Sequence, residues 1–126
     1  KQGMISIYLS QFFYDNTVQV KGSKNRYRDF VYINDLIKIM ISILSLNHSF
    51  KIFNVCSGKK TTVKQIIENI KTILSSNKKV IFLKGTPGDQ FGIYGSNNKI
   101  NNIIGNYFNT NIQKGLKETI KKLDII

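Results

Sequence analysis

The fold is decided by the stretch RYRDFVYIND, which occupies residues 26–35. Arg26 and Arg28 come first, and the β-branched and aromatic residues that follow them predict a short strand. Asn34 and Asp35 then offer side-chain oxygens that are typical of a helix N-cap. Because a guanidinium can bind two phosphate oxygens at once, arginines at the mouth of a strand indicate a site for a phosphorylated ligand.

Helices and strands alternate along the rest of the chain. Apolar periodicity, capping residues and turn residues predict helices at residues 3–14, 36–46, 62–74, 97–104 and from 110 onward. Short alternating or apolar runs predict strands at residues 17–20, 51–55 and 79–83. This order favours an α/β fold class.

Two of these helices carry a capping-box pattern. Thr62 with Gln65, and Thr110 with Gln113, place a threonine three residues before a glutamine at a predicted helix start. Between the last strand and the short helix, residues 84–95 form a glycine-punctuated loop. Glycines there would permit a ligand to approach the backbone closely.

The helix predicted at residues 36–46 is apolar nearly all round. Such a helix needs cover on most of its sides, and this short chain is not expected to supply all of it. We therefore expect the helix to pack against polypeptide outside the chain. A first residue that is Lys1 rather than Met also suggests a fragment.

Composition limits the classes of partner. The 126 residues contain 19 Lys and Arg against 7 Asp and Glu, a formal charge of +12. That balance raises nucleic acid or an acidic membrane surface, but the lysines are scattered and form no stripe, so nucleic-acid binding is not favoured. No apolar run approaches the roughly 20 residues of a membrane-spanning helix. A nucleotide ligand is also anionic and suits a basic surface.

Cys56 and His48 are each the single residue of their type. One cysteine allows no internal disulfide and fits a reducing compartment. Because no metal-ligand pattern surrounds Cys56, we interpret it as a buried structural thiol. His48 has neither metal ligands nor a triad near it in sequence, and we interpret it as a surface-loop residue.

The motifs follow a known order. R-x-R-D-F-V-Y-I-x-D precedes F-N-V-x-S-G at residues 53–58, a T-V helix start, P-G-D at residues 87–89 and a terminal G-L-K-E-T-I helix. Each motif alone is weak, but together they resemble the C-terminal half of the NAD-dependent epimerase/dehydratases. These are extended short-chain dehydrogenase/reductases (SDRs) that act on nucleotide sugars, among them UDP-galactose 4-epimerase. The resemblance covers the chain from about Gly3 to its end.

The resemblance implies that residues 1–126 form the nucleotide-sugar-binding portion of an extended SDR. Residues 34–58, with one helix and one strand, would complete and pack against a missing N-terminal Rossmann domain. The intact enzyme would be a cytoplasmic homodimer that binds NAD in its missing half and serves carbohydrate or cell-surface polysaccharide biosynthesis. Epimerisation at the sugar 4-position is the first choice of reaction, and a 4,6-dehydratase or a decarboxylase is the second.

A set of neighbouring residues matches the strand whose backbone meets the nucleotide base in this family, namely Val18, Gln19, Val20 and Lys21. A plain edge strand is the alternative. Arg28 matches the arginine that contacts the diphosphate, and the alternative is a salt bridge to Asp29 or a surface cation. Arg26 stands where glutamine is frequent in the family, so its role stays open.

Asp89 matches a position at the nucleotide pocket, where a carboxylate can accept ribose hydroxyls or orient an arginine; a turn-forming aspartate is the alternative. Tyr94 lies near a position that often carries an aromatic residue beside the sugar. Thr86 stands where the family often has an arginine, and Lys84 is the nearest cation, so one guanidinium fewer would hold the diphosphate. Ser96 replaces an aspartate and is expected to cap the short helix.

Three further family positions, Asp35, Asn54 and Ser57, are interpreted as structural, through helix capping and turn hydrogen bonds. No glycine-rich phosphate turn follows a strand, and no tyrosine precedes a lysine by four residues. We therefore assign no catalytic, cofactor or metal residue to this chain and expect it to be inactive alone. The rival interpretations are a basic nucleic-acid-binding module and a non-catalytic SDR-like subunit.

Overall fold

The computed structural model describes residues 3–46 and 52–123. The chain forms two compact units. One comprises the residues up to Tyr27 together with Thr61–Gly92, and the other comprises Arg28–Lys60 together with the residues from Ile93 onward. Helices and strands alternate through most of the chain, as the predicted α/β class requires.

The described elements have the following bounds. In chain order they are α1 (Met4–Tyr14), β1 (Thr17–Lys21), β2 (Tyr27–Arg28), α2 (Ile33–Leu44), β3 (Thr61–Thr62), α3 (Val63–Ile73), β4 (Lys79–Leu83), α4 (Asn98–Ile104) and α5 (Ile112–Lys122).

The first unit is built on the parallel pairing of β1 with β4. Val18 lies opposite Val80, and Val20 lies opposite Phe82. Parallel strands need a long crossover connection, and α3 lies within this one. Val18 and Val20 are fully buried, whereas Gln19 is exposed between them. The alternating strand predicted at residues 17–20 is confirmed, and it turns one face to the core.

Each long helix of the first unit buries one apolar face. The buried side chains are Tyr8, Leu9 and Phe12 of α1 and Val63, Ile66, Ile67 and Ile70 of α3. The spacing of three and four predicts these positions, and it also predicts Ile5, Phe13, Ile73 and Leu74, which are only half-buried. Full burial of each large aliphatic side chain contributes about 1.5–3 kcal/mol, so these two faces supply most of the unit's hydrophobic stabilisation.

The capping box of α3 is confirmed. Thr62 Oγ1 accepts a hydrogen bond from the Gln65 N–H at 3.2 Å, and Gln65 Oε1 accepts one from the Thr62 N–H at 2.8 Å. Two N–H groups that the first helical turn leaves without a partner are thereby satisfied.

The second unit is mostly helical. Its core is formed by Ile39 of α2, Ile100 of α4, and Leu116 and Ile120 of α5, which are all at most 2% exposed. α2 is far in sequence from the other two helices, whereas α4 and α5 follow one another near the end of the chain. The unit is therefore held together by contacts between helices rather than by a sheet.

Two predicted helix caps of this unit are wrong. α2 begins directly after Tyr32, so Asn34 and Asp35 lie inside its first turn. Asp35 is instead 3% exposed, and its carboxylate accepts the Thr110 N–H at 2.9 Å and the Thr110 hydroxyl at 3.1 Å. Because Thr110 is engaged in this way, Asn111 rather than Thr110 caps α5.

The strand predicted at residues 51–55 is wrong over its described part. Residues 52–55 pair with no other segment that the structure describes, and a strand needs a neighbour for its N–H and C=O groups. The strand predicted after the two arginines is also wrong, since β2 covers Tyr27–Arg28 alone and residues 29–32 form no strand. Lys51 and His48 lie outside the described residues.

α2 leaves an apolar surface uncovered within the described chain. Its exposed side chains are Ile33, Ile37, Met40, Ile41 and Leu44, with exposed fractions from 46% to 84%. Exposure of this kind is what a helix awaiting cover would show, while the identity of the cover stays a prediction. None of the helices in residues 3–46 and 52–123 has both the length and the hydropathy to cross a membrane.

The capping box gives a first testable prediction. Thr62→Ala removes the side-chain acceptor for the Gln65 N–H, so it should lower the free energy of unfolding by about 1 kcal/mol in a urea titration. Thr72→Ala is the matched control, because Thr72 is exposed on the same helix and its hydroxyl bonds back to the Glu68 carbonyl. Alanine is the better helix former there and should cause no loss; equal losses would contradict the cap.

Candidate functional site

A cleft of about 670 Å³ opens on the first unit. Its walls come from α1, from the exposed face of β1 with the turn after it, and from the loop that follows β4. The polar side chains that line it are the hydroxyl of Thr86 and the side chains of Tyr8, Gln11, Gln19, Lys21, Arg26 and Asp89. Two cations and one carboxylate thus share the cleft with two amides and a phenol, which suits a polar, anionic ligand.

Arg26 ties the loop after β4 to the end of β1. Its Nη1 forms an ion pair with Asp89, and its Nη2 donates to the Lys21 carbonyl. The guanidinium lies against Gly22, where φ is +85° and an added Cβ would stand 3.1 Å from the Arg26 Cζ. Glycine is therefore required at this turn both for its backbone conformation and for the space it leaves.

Tyr8 lies at the base of the cleft and is 5% exposed. Burial raises the pKa of the Tyr8 phenol, and the positive charge of Arg26 beside it lowers that pKa in part. The net direction is upward, so Tyr8 is a neutral hydroxyl at neutral pH rather than a base.

The ladder between β1 and β4 fixes which peptide groups are used inside the sheet. The Gly22 N–H donates to the Leu83 carbonyl at 2.9 Å. Since the N–H and C=O of one residue in a parallel strand point to the same side and alternate along the chain, the ladder uses the peptide groups of Val18 and Val20.

The peptide groups of Gln19 and Lys21 consequently point to the other edge of β1. There the Gln19 N–H donates to Gln11 Oε1 at 2.8 Å, and the Lys21 carbonyl accepts from Arg26. Side chains of the cleft thus occupy positions at this edge that a third strand would otherwise take.

In the second unit, the Asp29 carboxylate collects donors from two loops. Oδ1 accepts the Ser57 N–H at 2.8 Å and the Ser57 hydroxyl at 2.6 Å, while Oδ2 accepts the Gly58 N–H at 3.0 Å and the Gly95 N–H at 3.4 Å. Ser57 therefore has the structural role that the sequence predicts. Asp29 is the residue through which the R-D-F and N-V-x-S-G motifs meet.

A smaller cleft of about 440 Å³ lies beside Asp29 and is also lined by Asn54, Cys56 and Tyr94. Lys60 places its ammonium 4.5 Å from the centre of the Tyr94 ring, which is a cation–π distance. Asn54 is exposed rather than held inside a turn.

Cys56 is half-buried, so it is more exposed than the buried structural thiol that the sequence predicts. Its Sγ lies against Gly95, where an added Cβ would come within 2.7 Å of the sulfur. Burial raises the pKa of the Cys56 thiol, and the negative charge of Asp29 raises it further. This thiol is therefore a poor nucleophile.

The structure brings together some of the predicted site residues. Gln19, Lys21 and Asp89 line the first-unit cleft, whereas the side chains of Val18 and Val20 point into the core and leave only their backbone for a ligand. The other two predicted contacts belong to the second unit, and they are Arg28 and Tyr94. Their roles toward a ligand stay predictions.

Sequence reasoning left three polar residues of the cleft without an assigned role, Tyr8, Gln11 and Arg26. The replacement of an expected arginine by Thr86 signals that another cation serves the same loop, and Arg26 is the cation that reaches Asp89. Gln11 follows Tyr8 by three residues and so shares its side of α1. That spacing was the one signal for Gln11 in the sequence.

The loop and the short helix modify two further expectations. The Asp89 N–H donates to the Thr86 carbonyl at 3.1 Å, so Asp89 also belongs to a turn. Asn97 rather than Ser96 is the N-cap residue of α4, and the Ser96 hydroxyl lies 3.5 Å from the Asn98 nitrogen. In the part of the chain that the structure describes, no three His, Cys, Asp or Glu residues are grouped to hold a metal ion.

No family model matches the chain. Individual proteins do. It is 37% identical over 81 residues to the dTDP-4-dehydro-6-deoxyglucose reductase of Escherichia coli, a match that covers 64% of this chain and 25% of the relative. It is 30% identical over 92 residues to a putative UDP-glucose 4-epimerase of Methanocaldococcus jannaschii, covering 73% of this chain and 30% of the relative.

The fold has solved counterparts as well. The UDP-glucuronic acid 4-epimerase of Bacillus cereus, solved with UDP-glucuronic acid and NAD, superposes with a TM-score of 0.84 at 20% identity. The superposition covers 97% of this chain and 40% of the epimerase. The fold is thus that of part of an extended SDR.

The proteins that the chain matches are members of the NAD-dependent epimerase/dehydratase family, and the chain is similar to one part of them. It spans between a quarter and two fifths of the length of the proteins named above, 25% of the reductase and 40% of the epimerase of known structure. The family resemblance read from the motif order is thereby confirmed.

The Cys56 thiol gives a testable prediction about how its alkylation rate depends on pH. Because the thiolate is the charged form and both burial and Asp29 disfavour it, the alkylation rate of Cys56 should rise at a higher pH than that of an ordinary thiol. The measurement is the rate of iodoacetamide labelling against pH, followed by mass spectrometry. The same chain in urea is the control and should label with an ordinary pH dependence; identical profiles would contradict the raised pKa.

The Arg26–Asp89 pair gives a second prediction. Its side chains are 12% and 27% exposed, so Arg26→Gln and Asp89→Asn should couple by about 1–2 kcal/mol in a double-mutant cycle of unfolding free energies. Lys64 and Glu68 are the control pair. Lys64 Nζ lies 3.6 Å from Glu68 Oε1, and the two side chains are 56% and 58% exposed. That pair should couple by about 0.3–0.5 kcal/mol, and equal coupling in both cycles would show that the Arg26 pair is no stronger than a surface contact.

Proposed function

We propose that this chain is the nucleotide-sugar-binding portion of an NAD-dependent epimerase/dehydratase, with epimerisation at the sugar 4-position as the reaction of the intact enzyme. The observation that carries the proposal is the first-unit cleft, where Arg26, Asp89 and an open strand edge meet. The names of the relatives support this class of substrate, since they refer to dTDP-linked and UDP-linked sugars.

The nucleotide base binds at the open edge of β1. The Gln19 carbonyl and the Lys21 N–H point away from β4, and they are spaced as an acceptor and a donor of a sheet ladder. Val18 and Val20 contribute by holding this edge in place, because their own side chains and peptide groups are committed to the sheet and the core. A planar base with one donor beside one acceptor fits such an edge as an added strand would.

The guanidinium of Arg26 binds the phosphates, and the carboxylate of Asp89 binds the ribose. Arg26 is held by Asp89, the Lys21 carbonyl and Tyr8, and a guanidinium carries five N–H groups, so donors remain for a phosphate. Asp89 accepts ribose hydroxyls, in keeping with its position in the same cleft. Arg28 is assigned to the diphosphate and Tyr94 to the sugar on the family resemblance.

The residues of this chain do not fit NAD. It contains neither the glycine-rich turn that receives a dinucleotide pyrophosphate nor the tyrosine-lysine pair of the family. The related epimerase solved with NAD supports use of that cofactor by the family. We therefore assign NAD and the redox step to polypeptide outside this chain, with residues 34–58 packing against it in a cytoplasmic homodimer.

The role of this chain in the reaction is positioning. Binding energy from the base, ribose and phosphates is remote from the reacting carbon, and it can hold the sugar in the reactive orientation. A basic nucleic-acid-binding module is not favoured, because the relatives are named as enzymes of nucleotide sugars. The scattered lysines therefore serve as a general positive surface.

Arg28→Ala tests the proposal directly. Loss of a charged hydrogen-bond partner costs on the order of 1.5–3 kcal/mol, so the affinity for UDP-glucose or dTDP-glucose should fall by about tenfold or more. Isothermal titration calorimetry on the chain gives the comparison. Lys117→Ala on α5 is the control, since it removes one positive charge from an exposed helix position and should leave binding unchanged. Equal affinity in the wild type and Arg28→Ala would remove Arg28 from the site.

A further inference from the structure

Gln11 reaches from α1 to the open edge of β1, and its amide has a fixed orientation there. The Gln19 nitrogen lies 2.8 Å from Gln11 Oε1. Because an N–H can only donate, the amide oxygen must face it, and the Gln11 NH₂ group must face away from it. Gln11 also lines the cleft. Its NH₂ group is therefore a hydrogen-bond donor placed beside the strand edge.

Three polar groups follow one another along this edge. The Gln11 NH₂ group is a donor, the Gln19 carbonyl is an acceptor, and the Lys21 N–H is a donor. The two backbone groups point away from β4 by the alternation of the ladder, and the side-chain group is held next to them by the Gln19 N–H. The edge therefore presents a donor–acceptor–donor pattern.

We propose that Gln11 determines base specificity and selects a pyrimidine with an imide face, uracil or thymine, over cytosine. The proposal rests on the function proposed above and names the nucleotide that the cleft takes. The imide face of uracil and thymine presents a carbonyl, an N–H and a second carbonyl, which complement the edge at all three positions. Cytosine at the same three positions always turns its acceptor ring nitrogen toward the Gln19 carbonyl, and its exocyclic amine faces a second donor, either the Lys21 N–H or the Gln11 NH₂ group.

The energetic reason is the asymmetry of hydrogen bonding in a desolvated site. A matched bond adds modest affinity, but a donor facing a donor leaves polar groups without partners and is strongly disfavoured. Without Gln11 the edge would offer one acceptor and one donor. Cytosine could then place its amine on the Gln19 carbonyl and its ring nitrogen on the Lys21 N–H and satisfy both. The third group, supplied by Gln11, is therefore what favours the imide face of uracil or thymine.

The test is calorimetric titration of the chain with UDP, dTDP and CDP, in the wild type and in Gln11→Glu. Glutamate keeps an oxygen for the Gln19 N–H but replaces the NH₂ donor by a second acceptor. Its negative charge weakens all three diphosphates alike, so the ratio of the affinities for UDP and CDP is the quantity to compare. We expect the wild type to prefer UDP and dTDP over CDP by about tenfold or more, and Gln11→Glu to lower that ratio by about tenfold.

Two further variants keep the outcome interpretable. Gln113→Glu introduces the same charge at an exposed position of α5 and should leave the ratio unchanged. Gln11→Met removes the amide without adding charge, so it reports on the same ratio if the glutamate variant fails to fold. It should also lower the preference for UDP.

The outcomes separate this inference from the proposed function. A wild type that binds UDP while both Gln11 variants keep the wild-type ratio would overturn the role of Gln11 and leave the nucleotide site standing. A wild type that binds UDP and CDP equally would likewise overturn the inference. A wild type that binds none of the three nucleotides would overturn the proposed function, and the inference with it.

Discussion

The parallel pairing of β1 with β4 is the constraint on which the candidate site depends. Side chains alternate between the two faces of a strand, and peptide groups alternate between its two edges. Burying Val18 and Val20 and bonding them to β4 therefore leaves Gln19 and Lys21 for the cleft. A slip of one residue would exchange both sets at once. Apolar residues in the core thus decide which polar groups can meet a ligand.

Carboxylates form the second set of constraints. The chain has 7 acidic residues, and Asp29, Asp35 and Asp89 each join segments that are far apart in sequence. Asp29 reaches 28 residues to Ser57, Asp35 reaches 75 residues to Thr110, and Asp89 reaches 63 residues to Arg26. Because few acids remain for the surface, most lysines have no acidic partner nearby in sequence. A positive surface of this kind favours approach of an anionic ligand.

How far the sequence predicts the structure depends on the distance between interacting residues. The capping box at Thr62 and the alternation of β1 were predicted correctly, because each depends on residues within a few positions of one another. The caps expected at Asp35 and Thr110 were wrong because the two residues bond to each other, and no local pattern announces a bond across 75 residues. The strand expected at residues 51–55 failed for a related reason, since a ladder needs a partner strand.

The same reasoning applies to the site. Gln19, Lys21 and Asp89 were identified through motif order, which records where family members place such residues. Arg26 and Gln11 were not, because their contacts depend on three-dimensional packing around Gly22 and the edge of β1. Arg26 is a departure from the family's usual residue. A resemblance can show that Arg26 departs from the family but cannot assign the new residue a partner, whereas the structure shows its ion pair with Asp89.

The exposed apolar face of α2 and the polar first-unit cleft are two different surfaces of this chain. Ile41 is 62% exposed and Leu44 is 84% exposed, although both are large apolar side chains on a regular helix. Removing such a face from water is favourable by about 25 cal/mol per Å², so a covering domain would gain stability by docking there. The groups suited to a nucleotide lie in a different unit, in the first-unit cleft. The polar groups of the first-unit cleft and the apolar face of α2 thus belong to separate parts of the chain, so an apolar cover on α2 would leave the peptide edge of β1 to be set by its pairing with β4.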